Sequence, residues 1–204
     1  MNWPRLDPKI AVTGVVLFWG DTLVAGSLAA RYDLTTDYIS SLAGRGSSVA
    51  PIGILALAFL GLAHLAAAST LRGALAVPVA LAGVAGLTVA AFRTACPLGA
   101  AGCGTAPNTA ADLQGTVHGG AVAAYEIFIV VAMLLFALSR RRDEKVFALV
   151  SVVAAAASVF LLLQTGGADN GLWQRGWLVV NTGWLVLVLF RPPASARARP
   201  EVGA

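Results

Sequence analysis

The stretch LQGTVHGGAVAAYEIFIVVAMLLFALS, residues 113–139, followed at once by Arg140, Arg141 and Arg142, decides how this chain is built. A helix rises about 1.5 Å per residue, and a bilayer's hydrocarbon core is about 30 Å thick, so about 20 apolar residues cross it. This stretch is long enough, and the three arginines with Lys145 place its end in the cytoplasm under the positive-inside rule.

Five further apolar runs lie on either side: Lys9–Ala30, Pro51–Thr70, Ala74–Phe92, Val146–Gln164 and Leu172–Phe190. The reading is an all-α, polytopic membrane bundle of six transmembrane helices with both termini in the cytoplasm. Counting spans outward from the arginine cluster puts ten basic residues inside and leaves four (Arg31, Arg45, Arg93 and Arg175) outside or at the outer boundary. Five or seven spans would lose that agreement. Residues 1–191 form one transmembrane domain, and 192–204 read as a short disordered cytoplasmic tail. Composition agrees: of 204 residues 58% are hydrophobic and 12% charged, against about 25% charged in a soluble domain. Mean hydropathy is +0.79. The net charge of +4 fits basic loops beside an anionic membrane surface rather than nucleic acid. Pro78 inside the third run predicts a kink. Small residues at Ser27, Ala29 and Ala30 resemble a signal-peptide cleavage site, but Asp21 within that run argues against one.

Three segments remain outside: 31–49, 93–112 and 165–171. The second holds the only cysteines, Cys96 and Cys103, for which a disulfide is expected on compartment grounds. Two cysteines are too few for a closed zinc site. The first mixes Asp37, Ser40, Ser41 and Arg45, and could hold a polar or anionic head group with Arg45 as charge partner. A solvated connecting loop is the plain alternative.

Ionisable residues within spans are costly and usually face the bundle interior. Measured from the outer helix ends at the helical rise, His118 lies roughly 8 Å deep, Asp21 and Asn181 about 14 Å, and His64 and Glu126 about 20 Å. With Asp112, Gln114 and Arg175 at the mouth, they could form a polar track from the outer surface to the midplane. His64 and Glu126, at matching depth, could instead simply satisfy each other. Gly115 and Gly119 around His118 suit close helix packing or room for a ligand. Gln174, Trp177, Asn181 and Trp184 share one face of the last run, as a packing ridge or a ligand wall. The two histidines differ in depth by about 13 Å, too far to share one haem, and no cofactor is expected.

Several of these residues carry a family resemblance. Tyr38-Ile39-Ser40-Ser41-Leu42-Ala43-Gly44 resembles the "ISxLG" segment of a bacterial six-helix membrane family, domain of unknown function 998. Arg93 with Cys96-Pro97, His118-Gly119 ("HG") and Gly171-Leu172-Trp173-Gln174-Arg175 ("GLxQR") continue it in order. Leu42-Ala43-Gly44 departs from the family's Leu-Gly by one residue. The resemblance implies a six-helix fold in a bacterial plasma membrane and no established activity. A more distant similarity extends to eukaryotic six-helix proteins that include autophagy modulators and GPI-anchor remodelling factors.

Three function classes are open. The first binds a lipid or isoprenoid in a polar cavity open to the outer face, with Asp37, Arg45, Arg93, His118, Gln174, Arg175 and Asn181 as ligand-binding candidates. The second is a membrane enzyme: a hydrolase using Ser40 or Ser41, His118 and Asp112 or Asp37, or a cyclase using Asp21 or Glu126 as proton donor. The third is a small proton-coupled transporter relaying through Asp21, His64 and Glu126. Membrane lipids are the expected partners, with a homo-oligomer or a membrane-protein partner also open.

Overall fold

The computed structural model describes residues 6–30, 32–94 and 113–190. Among them every regular element is helical: α1 (Pro8–Leu28), α2 (Ile39–Leu42), α3 (Ala50–Thr70), a 3₁₀ turn (Gly73–Leu75), α4 (Ala76–Ala91), α5 (Leu113–Arg140), α6 (Lys145–Gln164) and α7 (Asn170–Leu189). Five long helices, α1, α3, α4 with its 3₁₀ lead-in, α5 and α6, are long and apolar enough to cross a membrane. The helix α7 has comparable length but carries Asn170, Gln174, Arg175 and Asn181, which lower its hydropathy. Cys96, Cys103, Asp112 and the tail 192–204 lie outside the described residues.

Local chemistry sets the helix ends. Asp7 caps α1 by accepting from the Lys9 amide at 2.9 Å, with Pro8 in the first turn. Pro78 is not the mid-helix kink its position in the apolar run suggests. The chain enters through the 3₁₀ turn, so the proline falls in the first turn of α4, where its missing N–H has no intrahelical bond to make. At the same end of the bundle Arg140 closes α5, its guanidinium 2.7 Å from Glu144 and stacked over Phe136.

The helices α1, α3, α4, α5, α6 and α7 pack in chain order, each mainly against the next. The first three are joined by small residues. A Cβ on Gly61 would come within 2.8 Å of the backbone at Gly83 and Leu87, and one on Gly14 within 2.9 Å of Ala63. These close approaches are the packing mode expected in lipid. Gly119 and Gly120, beside His118, face open space instead. The α6 helix buries only Ser151, Ala155 and Ser158, one stripe at helical spacing, and turns Val153, Phe160 and Leu163 outward.

The segment between α1 and α3 folds back into the bundle. Asp33 accepts from the Thr35 amide at 2.7 Å and its hydroxyl at 2.6 Å, an Asx turn that holds the carboxyl below its ordinary range. Asp37 then accepts from the Asp33 amide at 2.9 Å. All four residues of α2 are buried. Gly53 makes the fit: a Cβ there would stand 2.5 Å from the Leu42 carbonyl carbon. Gly53→Val should therefore unseat α2 and lower stability by about 1–3 kcal/mol, the usual cost of overpacking. Gly20→Ala, into open space, should not. Melting curves in one detergent check both.

Candidate functional site

Two polar assemblies organise the bundle, one at the end that carries α2 and one at its middle. The first centres on Arg175 of α7. Its Nη1 donates to the carbonyls of Leu34 at 2.7 Å, Asp37 at 3.0 Å and Gly171 at 2.7 Å, and its Nη2 donates to the Tyr32 hydroxyl. The guanidinium also lies 5.5 Å from the Tyr32 ring centre. Burial pushes the Tyr32 phenol up from its ordinary range, with Arg175 drawing it back. Next to it, Gln174 Oε1 accepts from the Ile39 amide at 2.6 Å, and the Tyr38 hydroxyl donates to the Thr165 carbonyl. Thus α7 holds the α2 segment in place through side chain to backbone bonds.

The inner assembly lies at mid-helix. His64 Nδ1 is 2.8 Å from the Leu60 carbonyl, which can only accept, so Nδ1 carries the proton. That leaves Nε2 to accept from the Tyr125 hydroxyl at 3.1 Å. Tyr125 stacks edge-on against both His64 and Trp177. Trp177 Nε1 donates to Glu126 Oε2 at 2.8 Å. Ser158 Oγ lies 2.9 Å from the same oxygen and 2.8 Å from Asn181 Oδ1. Glu126, Ser158 and Asn181 are all buried. The expected His64–Glu126 pair does not form. Adjacent residues on a helix point about 100° apart, so Tyr125 meets His64 while Glu126 faces α6 and α7.

Between the two assemblies is a small chamber of about 30 Å³, walled by Ile39 and Ser40 of α2, Leu57 and Leu60, Gly86 and Val89, Val122 and Tyr125, and Gln174, Trp177 and Leu178. It takes about one or two water molecules and is apolar except at Ser40, Tyr125 and Gln174. Seated α2 is its roof.

The other predicted residues are dispersed over the half of the bundle that carries α2. Ser40 borders the chamber and Ser41 is buried in α2. His118 is buried rather than hydrated, with Nδ1 donating to the Phe92 carbonyl at 2.7 Å. It ties α5 to the end of α4 and is hydrogen-bonded to neither serine. Arg45 bonds the Thr94 carbonyl through its amide, at 3.1 Å, and its Nε, at 3.4 Å, which brings it beside Arg93. Asp21 is half-buried on α1. Sequence reasoning missed Tyr125, Ser151 and Ser158. The two serines, seven apart in an otherwise apolar run, were the available signal.

A lipid-facing helical bundle with polar groups turned inward is an integral membrane protein. The chain belongs to the family described as Protein of unknown function (DUF998), whose model matches residues 12–191. No curated protein and no solved structure matches it.

Arg175→Lys keeps the charge but loses the fork that reaches several carbonyls at once. It should cost about 1.5–3 kcal/mol, the scale of one lost charged hydrogen bond, and speed hydrogen exchange at the Ile39 and Ser41 amides. An unchanged melt with unchanged exchange would show that the guanidinium does not seat the loop.

Proposed function

We propose that this is a six-span plasma-membrane protein of a bacterium, with both termini cytoplasmic, that binds a membrane lipid or isoprenoid through the chamber beneath α2. The observation that carries the reading is the chamber itself: an apolar space between four long helices, closed on its outer side by the docked α2 segment rather than by continuous helix. As seated it is too small for an acyl or prenyl chain, so binding requires α2 to lift. Its hydrogen bonds to α7 can be exchanged for bonds to water or a head group. Arg45 and Arg93, adjacent at the outer end, supply positive charge for a phosphate or carboxylate. Arg175, whose donors are engaged by the loop, responds to the ligand only through α2.

The sixth span rests on where α7 points its polar groups. Gln174, Arg175 and Asn181 all bond within the protein, while Leu172, Val179 and Phe190 are more than half exposed. Its low hydropathy comes from residues that would not meet lipid. A reporter fused after Leu189 or after Arg142 should then read cytoplasmic, and one inserted near Gly167 external. An external reading after Leu189 would remove the sixth span.

For the ligand, native mass spectrometry of gently extracted protein should show a retained lipid or isoprenoid. Val122→Phe, which fills the chamber, should abolish retention, and Arg45→Ala with Arg93→Ala should weaken it. Equal retention by wild type and by both variants would refute the site.

A further inference from the structure

We propose that Glu126 is a proton-binding site in the middle of the membrane, occupied at rest, with Ser158 and Asn181 forming a hydrogen-bond chain whose direction reverses when the proton leaves. Counting hydrogens leads there. The Ser158 hydroxyl has one proton, yet it lies at bonding distance from two acceptor oxygens, Glu126 Oε2 at 2.9 Å and Asn181 Oδ1 at 2.8 Å. It can donate to only one. If Glu126 were ionised, one short oxygen–oxygen contact would have no hydrogen in it. With a proton on Oε2 the chain closes: Glu126 Oε2–H donates to Ser158 Oγ, and Ser158 O–H donates to Asn181 Oδ1. Trp177 Nε1–H still donates to the hydroxyl oxygen of the acid.

The surroundings fit a neutral acid. Glu126 is 7% exposed and Asn181 is completely buried. The side chains that bond Glu126 are Ser158 from α6 and Trp177 from α7, and Asn181 of α7 lies beside it. None is cationic. The titratable groups nearest on the packed elements are Tyr125, its neighbour on α5, and beyond it His64 on α3. An isolated carboxylate among such partners in hydrocarbon is strongly disfavoured.

A second observation concerns the unpartnered atoms. Asn181 Nδ2 and Glu126 Oε1 are both buried without a hydrogen-bond partner. In the neutral state that amide is an idle donor. When the proton leaves to water, turning the Asn181 amide by half a revolution puts Nδ2 against Ser158. The chain then runs Asn181 Nδ2–H to Ser158 Oγ, and Ser158 O–H to the carboxylate. One proton is released, no other bond changes, and each state is internally satisfied along the chain. The orphan donor is the spare that the second state uses. This site stands apart from the proposed lipid chamber, and its test does not depend on a ligand.

The experiment is infrared difference spectroscopy of the whole protein in liposomes, wild type against Glu126→Gln. At pH 7, well above the ordinary glutamate pKa of about 4.3, wild type should show a protonated-carboxyl C=O band. It should shift in D₂O, be absent from Glu126→Gln, and give way to carboxylate only as the pH is raised further. Ser158→Ala removes the acceptor of the acid proton, so the band should move to higher frequency. That comparison stands even where Glu126→Gln does not fold. A carboxylate band alone at pH 7, or a protonated band untouched by both substitutions, would overturn the proposal.

Discussion

A polar group inside a bilayer has no water to fall back on, so it must find its partner within the protein. In this chain that constraint holds half of the bundle together. Lipid tails are as apolar as leucine, and burial by itself gives helices little reason to associate. The α6 helix is the clearest case. Its buried stripe is Ser151, Ala155 and Ser158, too little surface to fix a helix by contact. Its position is set by Trp184 donating to Ser151 at 3.0 Å and by Ser158 joining Glu126 to Asn181. Glu126 thereby ties α5, α6 and α7 in one node.

The other half is assembled differently. There α1, α3 and α4 meet through glycine and alanine, backbone against backbone. Among the described residues, the side-chain hydrogen bonds that join the long helices of the two halves are His64 with Tyr125, Trp19 with Thr182 at 3.2 Å, and His118 with the Phe92 carbonyl at the end of α4. The chamber lies along this seam, and α2 closes it from outside. A seam held by a few directional bonds opens more readily than an interdigitated interface, because bonds can be exchanged one at a time.

The helices were legible because span length is a property of composition, readable without knowing which residues touch. The helix limits fell within a residue or two of the apolar runs, and the family match agrees with the motifs from Tyr38 to Arg175. What failed was azimuth. Depth placed His64 level with Glu126, but depth says nothing about which way each side chain points, and the true partner was Tyr125, one residue earlier. In the Gly115–Gly119 spacing Gly119 faces open space, while close approaches between helices occur at Gly14, Gly61 and Gly83. The four-residue α2 was out of reach for a different reason. A helix so short has no periodicity to read, and it exists only because Gln174, Arg175 and Gly53 receive it. Arg175 looked like a free head-group ligand for the same reason: its partners are backbone carbonyls, which sequence does not display.

The choice of glutamate at position 126 says something that packing does not. A buried polar node can often be replaced by apolar residues at little cost or even a gain, so holding α5 to α7 does not by itself require an acid. Glutamine could put its carbonyl where Oε2 stands, accepting from both Trp177 and Ser158, with the same shape and no tendency to ionise. Against that alternative, glutamate adds one property, a proton that can be lost. The neighbours are suited to that property. A serine hydroxyl can donate in either direction, and an asparagine amide presents a donor or an acceptor according to its rotation. Three such groups in series form an element with two satisfied arrangements, and a single proton decides between them. Because Ser158 and Asn181 are also what fastens α6 and α7 to α5, the proton and the helix contacts share the same bonds.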